Sequence, residues 1–273
     1  MDDLDFAGVE RREWFTPKVA AAYARDFARA ADMVVPALVA RSGAGPGKRA
    51  LDLCCGHGNV SAGLLQAGAE VTGLDFSPAM LDMARAQVPD AVFVQGDAMA
   101  LGFRAARFDA VTIGFGMPHL PDPPKALAEA ARVLKSGGRL AYSVWCGPDV
   151  DTALGYVFGA IADHGDPEIS LPPGPGANDY ADPDIAFPAL AAAGFAAPQM
   201  VRVESHWQVD DPAAPYRFFL EGTARGGALL RPQPPHRAAA IRRAVVETVL
   251  ARHGSGPRWT VPIPAMVVSA TAA

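Results

Sequence analysis

Between residues 49 and 145 the apolar positions fall into short runs separated by stretches of helical spacing. Runs at 49–54, 70–75, 91–95, 108–114 and 139–145 predict five strands. The segments 60–67, 77–87 and 125–134 carry apolar side chains three and four apart, which predicts helices. Gly68 closes the first of these, Ser77 caps the second with Pro78 in its first turn, and Ser-Gly-Gly138 stops the third. Upstream, Val19, Tyr23, Phe27, Ala30, Met33, Val34 and Leu38 predict one or two amphipathic helices over 14–40, ended by a loop over 41–48. After Trp145 the pattern changes. It predicts a helix over 151–163, a Pro/Gly loop over 165–179 and a helix over 185–193. One strand over 199–209, helices at about 213–225 and 235–252, and one last strand over 259–269 follow. Alternating strands and helices build a parallel sheet covered on both faces. Right-handed crossovers make that a doubly wound α/β sheet, and such sheets hold ligands at the carboxyl ends of their strands.

Composition narrows the reading. Of 273 residues, half are apolar and 19% are charged, a globular balance with enough chain for a real core. Length alone gives about two domains, but α/β chains of this size often form one. The net charge of −5 supplies no basic field for a nucleic-acid backbone. The three cysteines, Cys54, Cys55 and Cys146, are odd in number and include no C-x-x-C pair. A reducing compartment is expected, and with an acidic N-terminus and no long uncharged apolar run, the cytoplasm. The histidines show no metal-ligand spacing, so no metal is expected.

The chemistry begins at the glycine turn Asp52-Leu-Cys-Cys-Gly-His-Gly58, where a strand opens into a helix. Backbone N–H groups and the helix dipole favour an anion there; the alternative is a plain tight turn. The dinucleotide fingerprint fails, because Ser61 stands where the third glycine belongs, and no Gly-Lys-Ser/Thr makes a P-loop. Asp75 ends the second strand, 17 residues past Gly58, and suits a ribose diol or the dipole of the next helix. Asp97 ends the third strand and suits an exocyclic amine or a turn.

Together these residues resemble class I S-adenosylmethionine-dependent methyltransferases of the small-molecule type. The motifs are Leu51-Asp-Leu-Cys-Cys-Gly-His-Gly-Asn59, Gly73-Leu-Asp-Phe-Ser-Pro-Ala-Met-Leu81 and Gly96-Asp-Ala-Met-Ala-Leu-Gly-Phe103. The segments 108–122 and 133–140 are similar to that family's fourth strand and its turn into the fifth. Cys54 departs from the pattern, which has glycine there; the loop is expected to form if that position needs no positive φ.

The resemblance implies a seven-stranded mixed sheet with a helical cap, its last strand antiparallel, and S-adenosylmethionine as cofactor, leaving as S-adenosylhomocysteine. It implies one domain over 1–273, with an N-terminal helical lid (1–45), a cofactor-binding core (46–146) and a C-terminal half carrying a cap insertion at about 211–256. Asp52, Gly56 and Gly58 would cradle the methionine end, Asp75 the ribose and Phe76 the adenine. Asp97 and the Ala98 N–H would meet the adenine amine, and Gly114 and Phe115 the methionine portion. The same motifs bring Cys54, Asn59, Ser77, Met80, Gly96 and Met99 into the set.

Methyl transfer expels a neutral leaving group, so alignment and exclusion of water are the main tasks. His119, after the fourth strand, is the candidate base, or a histidine packing its loop. Tyr23 is a candidate residue closing over the donor, or an ordinary core aromatic. His206 and Trp207 read as edge and packing residues, and Asp122-Pro-Pro124 as a proline-rich helix start. Trp14, Phe15, Phe187, Tyr216, Phe218 and Phe219 suit an apolar or aromatic acceptor if they form the cap, or are core. A methyltransferase of a small molecule is expected. A fold relative with another reaction such as cyclisation, or a non-catalytic binding module, remains the alternative.

Overall fold

The computed structural model describes residues 5–273. In chain order its helices are α1 (Phe6–Trp14), α2 (Pro17–Ala22), α3 (Ala28–Asp32), α4 (Val35–Ser42), α5 (Asn59–Gln66) and α6 (Pro78–Gln87). They continue with α7 (Pro123–Val133), α8 (Ala153–His164), α9 (Pro183–Ala192), α10 (Ala214–Gly222), α11 (Ala224–Leu230) and α12 (Pro235–His253). The strands are β1 (Arg49–Leu53), β2 (Glu70–Asp75), β3 (Val92–Gln95), β4 (Phe108–Gly114) and β5 (Leu134–Trp145). Four more follow: β6 (Phe195–Val203), β7 (His206–Val209), β8 (Trp259–Pro262) and β9 (Ala265–Ala272).

Two compact units share the chain. The sheet unit comprises Ala31–Trp145, Pro175–Val203 and Ala265–Ala273. Its seven strands run in the order β3-β2-β1-β4-β5-β9-β6. β1 to β5 are parallel, and β9 lies antiparallel between β5 and β6. This is the mixed, doubly wound sheet that the sequence implies. Its core is apolar on both faces: Leu51, Leu53, Phe108, Ile113, Leu140 and Tyr142 are fully buried. α6 starts as read, with the Ser77 hydroxyl accepting from the Met80 N–H at 3.3 Å. Asp122 caps α7 by accepting from the Lys125 N–H, so Asp122-Pro-Pro124 is a helix start.

Several boundaries differ from the sequence reading. The expected strand over 199–209 is two strands, β6 and β7, and the expected strand over 259–269 is β8 and β9. Proline cannot donate to a ladder, and Pro262 and Pro264 end β8 and let the chain change sheets. The helix over 213–225 breaks at Thr223, whose hydroxyl accepts from the Gly226 N–H and starts α11. β5 begins at Leu134, and the Lys-Ser-Gly-Gly segment is a register shift inside the strand rather than a loop before it. Phe187 packs against the main apolar core.

Among the described residues, the helical unit comprises those up to Ala30, Cys146–Gly174 and Glu204–Pro264. The N-terminal segment 1–45 therefore divides between the units, with α4 in the sheet unit. β7 and β8 pair as a two-stranded antiparallel sheet. A π-helical turn at Tyr23–Phe27 puts Tyr23 edge-on to Trp14 and stacked on Phe27. Trp207 is buried against Phe27 and Phe218, with its Nε1 donating to the Phe27 carbonyl at 3.3 Å. The helices α10 to α12 lie in this unit.

Candidate functional site

The strand order turns back at β1. From β1 the chain winds outward through β2 and β3, then returns to β1's other side as β4. At such a switch point a crevice opens outside the carboxyl ends of the two neighbours, and open α/β sheets bind ligands there. The first residues past β1 and β4 are Cys54 and Phe115, and both hold left-handed backbone, with φ of +54° and +56°. For a non-glycine residue that costs roughly 1–2 kcal/mol, and such strain gathers at functional sites. The expectation for Cys54 is thus corrected: its position does take a positive φ, and the loop forms with cysteine there nonetheless.

Asp52, inside β1, is fully buried. One carboxylate oxygen accepts from the Ser61 hydroxyl at 2.7 Å and the other from Thr112, its register partner in β4, at 3.0 Å. Burial pushes its carboxyl up to about 7, against those two hydrogen bonds. Ser61 stands where a dinucleotide site needs glycine, so the residue that breaks that fingerprint holds Asp52 in place.

Asp75 ends β2. Its oxygens accept from the Gly56 N–H at 2.8 Å and the Ser77 N–H at 2.9 Å, tying the glycine turn to the start of α6. Burial raises its carboxyl, while those N–H groups and the nearby His119 act in the opposite direction. Asp97 is exposed and accepts from the Met99 N–H at 2.8 Å, in a turn closed by the Asp97–Ala100 bridge. Burial is the main cause that raises the Cys54 thiol, and Asp75, Asp52 and Asp97 all add to it.

Most of the remaining residues of the set follow β1, β2, β3 and β4 in the sheet unit. Gly56 has φ +53°, and a Cβ there would meet nothing within 4 Å, so the turn faces open space. Gly58, at φ +93°, begins α5, and Asn59 donates from Nδ2 to Asp32 at 2.9 Å. Phe76 and Met99 are half-buried, Met80 and Ala98 buried. Gly96 is packed against Leu74, which a Cβ there would meet at 2.9 Å. Gly114 ends β4. His119 closes a single 3-10 turn, Met117–His119. Tyr23 belongs to the helical unit, in its aromatic cluster. Among the described residues no group of three His, Cys, Asp or Glu stands close enough to hold a metal.

Sequence reading misses four residues that build this site. Thr112 and Ser61 hold Asp52; the register of β4 on β1 was the only signal for Thr112. Ser143 accepts the Phe115 N–H, and Trp145 stacks on the Phe115 ring, but nothing in the spacing of β5 marks either.

Residues 51–142 match the family model described as a methyltransferase domain. A demethylmenaquinone methyltransferase of Renibacterium salmoninarum is 46% identical over 106 residues, 39% of this chain and 45% of that protein. One from Lactiplantibacillus plantarum is 49% identical over 108 residues, 36% of this chain and 46% of that protein. The chain thus spans less than half the length of the curated relatives it matches. Among solved structures, the YcgJ protein of Bacillus subtilis superposes with a TM-score of 0.58 at 19% identity, over 87% of this chain and 97% of that one. A phosphoethanolamine N-methyltransferase of Haemonchus contortus, solved with S-adenosylhomocysteine, gives 0.58 at 16% identity, over 98% of this chain and 60% of that one. The [4+2]-cyclase SpnF gives 0.55 at 17% identity, over 98% and 97%.

Proposed function

We propose that this chain, whose residues 51–142 match a methyltransferase-domain model, is an S-adenosylmethionine-dependent methyltransferase of a small organic acceptor. The observation that carries the reading is the Asp75 carboxylate at the end of β2, which accepts from the Gly56 and Ser77 N–H groups beside the open face of Gly56, at the sheet's switch point.

The residues present fit that cofactor. Asp75 presents two acceptor oxygens at the end of β2, held in place by the Gly56 and Ser77 N–H groups, and a pair of acceptors suits the two hydroxyls of a ribose. Asp97 has one oxygen held by the Met99 N–H and the other available for an exocyclic amine, beside the Ala98 N–H. The open face at Gly56 is space that a Cβ would fill. The carboxylates, negative when ionised, suit a ligand bearing ammonium and sulfonium charge.

S-adenosylmethionine supplies an electrophilic methyl group when bound. The chain's own work is then positional. Asp75 and Asp97 fix the nucleoside, with Phe76 against the base. Asp52 and the turn 56–58 hold the amino-acid end, with Gly114 and Phe115 on the other side. Cys54, Asn59, Ser77, Met80, Gly96 and Met99 complete the wall. A hydroxyl acceptor needs a base, and an imidazole suits neutral pH, so His119 takes that proton. The relatives' name, demethylmenaquinone methyltransferase, supports an apolar aromatic acceptor. None of the three cysteines forms a disulfide, which supports a cytoplasmic address. No helix among the described residues is long and apolar enough to cross a membrane.

The fold is also that of a cyclase, so the test must follow the methyl group itself. Incubation with methyl-labelled S-adenosylmethionine and a panel of phenols, quinols and amines is expected to move label into an acceptor with equal release of S-adenosylhomocysteine. Conversion of an acceptor without label would replace this reading with a cyclase-type reaction. Binding with no conversion of any acceptor would favour a non-catalytic module.

A further inference from the structure

We propose that Trp145 is a positioning residue for the crevice: its ring holds Phe115 in the left-handed conformation, so that the β4 wall is formed before the donor arrives. The proposal rests on the methyltransferase reading of the same crevice.

Phe115 is gripped at two points from one strand. Its N–H reaches both the carbonyl and the hydroxyl of buried Ser143, each at 3.1 Å. Its ring stacks on Trp145, with centroids 3.9 Å apart and planes 21° apart. Ser143 and Trp145 are two residues apart on β5, so their side chains leave the same face of the sheet. Trp145 is itself anchored, its carbonyl accepting from Asn178 Nδ2 at 2.8 Å.

The residues on either side leave Phe115 little freedom. A Cβ at Gly114 would meet Val60, in the first turn of α5, at 2.7 Å, and one at Gly116 would meet Cys54 at 2.5 Å. The backbone around Phe115 is therefore wedged against both ends of the glycine turn. A phenylalanine released from its left-handed φ would swing its ring and press on that turn. The stack opposes that release, since the two ring faces cover one another and would lose that contact if Phe115 turned. Trp145 thus acts on the donor site through Phe115, without being one of the residues assigned to touch the ligand.

Binding of S-adenosylhomocysteine, measured by calorimetry beside the melting temperature, tests the proposal. Trp145→Leu is expected to weaken binding about tenfold or more, and Trp145→Phe, which keeps a ring, to stay within about threefold of the parent. Phe115→Leu should cost a similar factor, and the double variant no more than either single one, because both remove the same contact. Should Trp145→Leu fail to fold, Ser143→Ala takes its place with a loss of about threefold or more. A Trp145→Leu protein that melts lower yet binds within about twofold of the parent, or losses that simply add, would overturn the role of Trp145 alone. A parent chain that does not bind S-adenosylhomocysteine would overturn the methyltransferase reading beneath it.

Discussion

The side chain of Cys54 occupies the space that a side chain at Gly116 would need: a Cβ at 116 would meet the Cys54 Cβ at 2.5 Å and its Sγ at 2.8 Å. The two residues follow β1 and β4 and close the switch point from either side. Cysteine at a left-handed position is accommodated here because its neighbour across the crevice has no side chain. Gly116→Ala is expected to destabilise the chain by about 1–3 kcal/mol through overpacking. Cys54→Gly should recover part of that loss, since it removes the two closest contacts and leaves the one to Ile113 Cγ2 at 2.9 Å. Alone, Cys54→Gly should shift stability by less than about 1 kcal/mol, because relief of backbone strain offsets the added freedom of the unfolded chain. Urea unfolding of the two single variants and the double one measures the coupling.

Asp52 gives the site a pH dependence. Its carboxyl is pushed up to about 7 by burial, so it is neutral below that pH and negative above it. A cationic donor gains from the negative form. S-adenosylmethionine should bind roughly 3–10-fold tighter at pH 8 than at pH 6. The sign for stability is opposite. Folding raises this carboxyl above its unfolded value near ~3.9, so the folded state holds the extra proton, and that contribution fades as pH rises from about 4 to about 7. Asp52→Asn should flatten both dependences, read by calorimetry and by unfolding at each pH.

Asp75 has two tasks that one substitution separates. Asp75→Asn keeps the size and one acceptor oxygen but loses the charge and the second acceptor. Binding of S-adenosylhomocysteine should weaken about tenfold or more. Because the Gly56 N–H also relies on this carboxylate, the turn should open, and hydrogen exchange at Gly56 should quicken. Asp97, exposed and engaged by one N–H, should matter less, with Asp97→Ala costing affinity but little stability.

His119 is half-buried at the end of the 3-10 turn that follows β4. If it serves as the base for a hydroxyl acceptor, His119→Ala should lower kcat by about 10²-fold or more with donor affinity unchanged. A loss of only a few-fold in kcat would return His119 to a packing role in its 3-10 turn.

Much of the sheet is readable from the chain because β1, β2, β4 and the apolar half of β5 are mostly buried, which leaves short, largely apolar runs bounded by glycine and acidic residues. The strand-end aspartates are legible for the same reason: a carboxylate at the end of such a run breaks the pattern. The strands after Trp145 are harder to divide, since β6 and β7 read as one alternating run although the chain leaves the sheet between Val203 and His206. Ser61, Thr112, Ser143 and Trp145 are invisible one at a time. Each acts on a partner 9, 60, 28 or 30 residues away, Asp52 for the first two and Phe115 for the others. Those partners are set by strand register, and single-residue patterns do not encode register. The positive φ at Cys54 is likewise a property of the turn, since cysteine carries no signal for it.

The account stands most directly on calorimetric titration of S-adenosylhomocysteine into the chain at pH 8. It predicts one site with a Kd of about 100 µM or tighter, lost when Asp75 and Asp97 are both replaced by alanine. No heat of binding at millimolar ligand, or binding that the double replacement leaves unchanged, would contradict it.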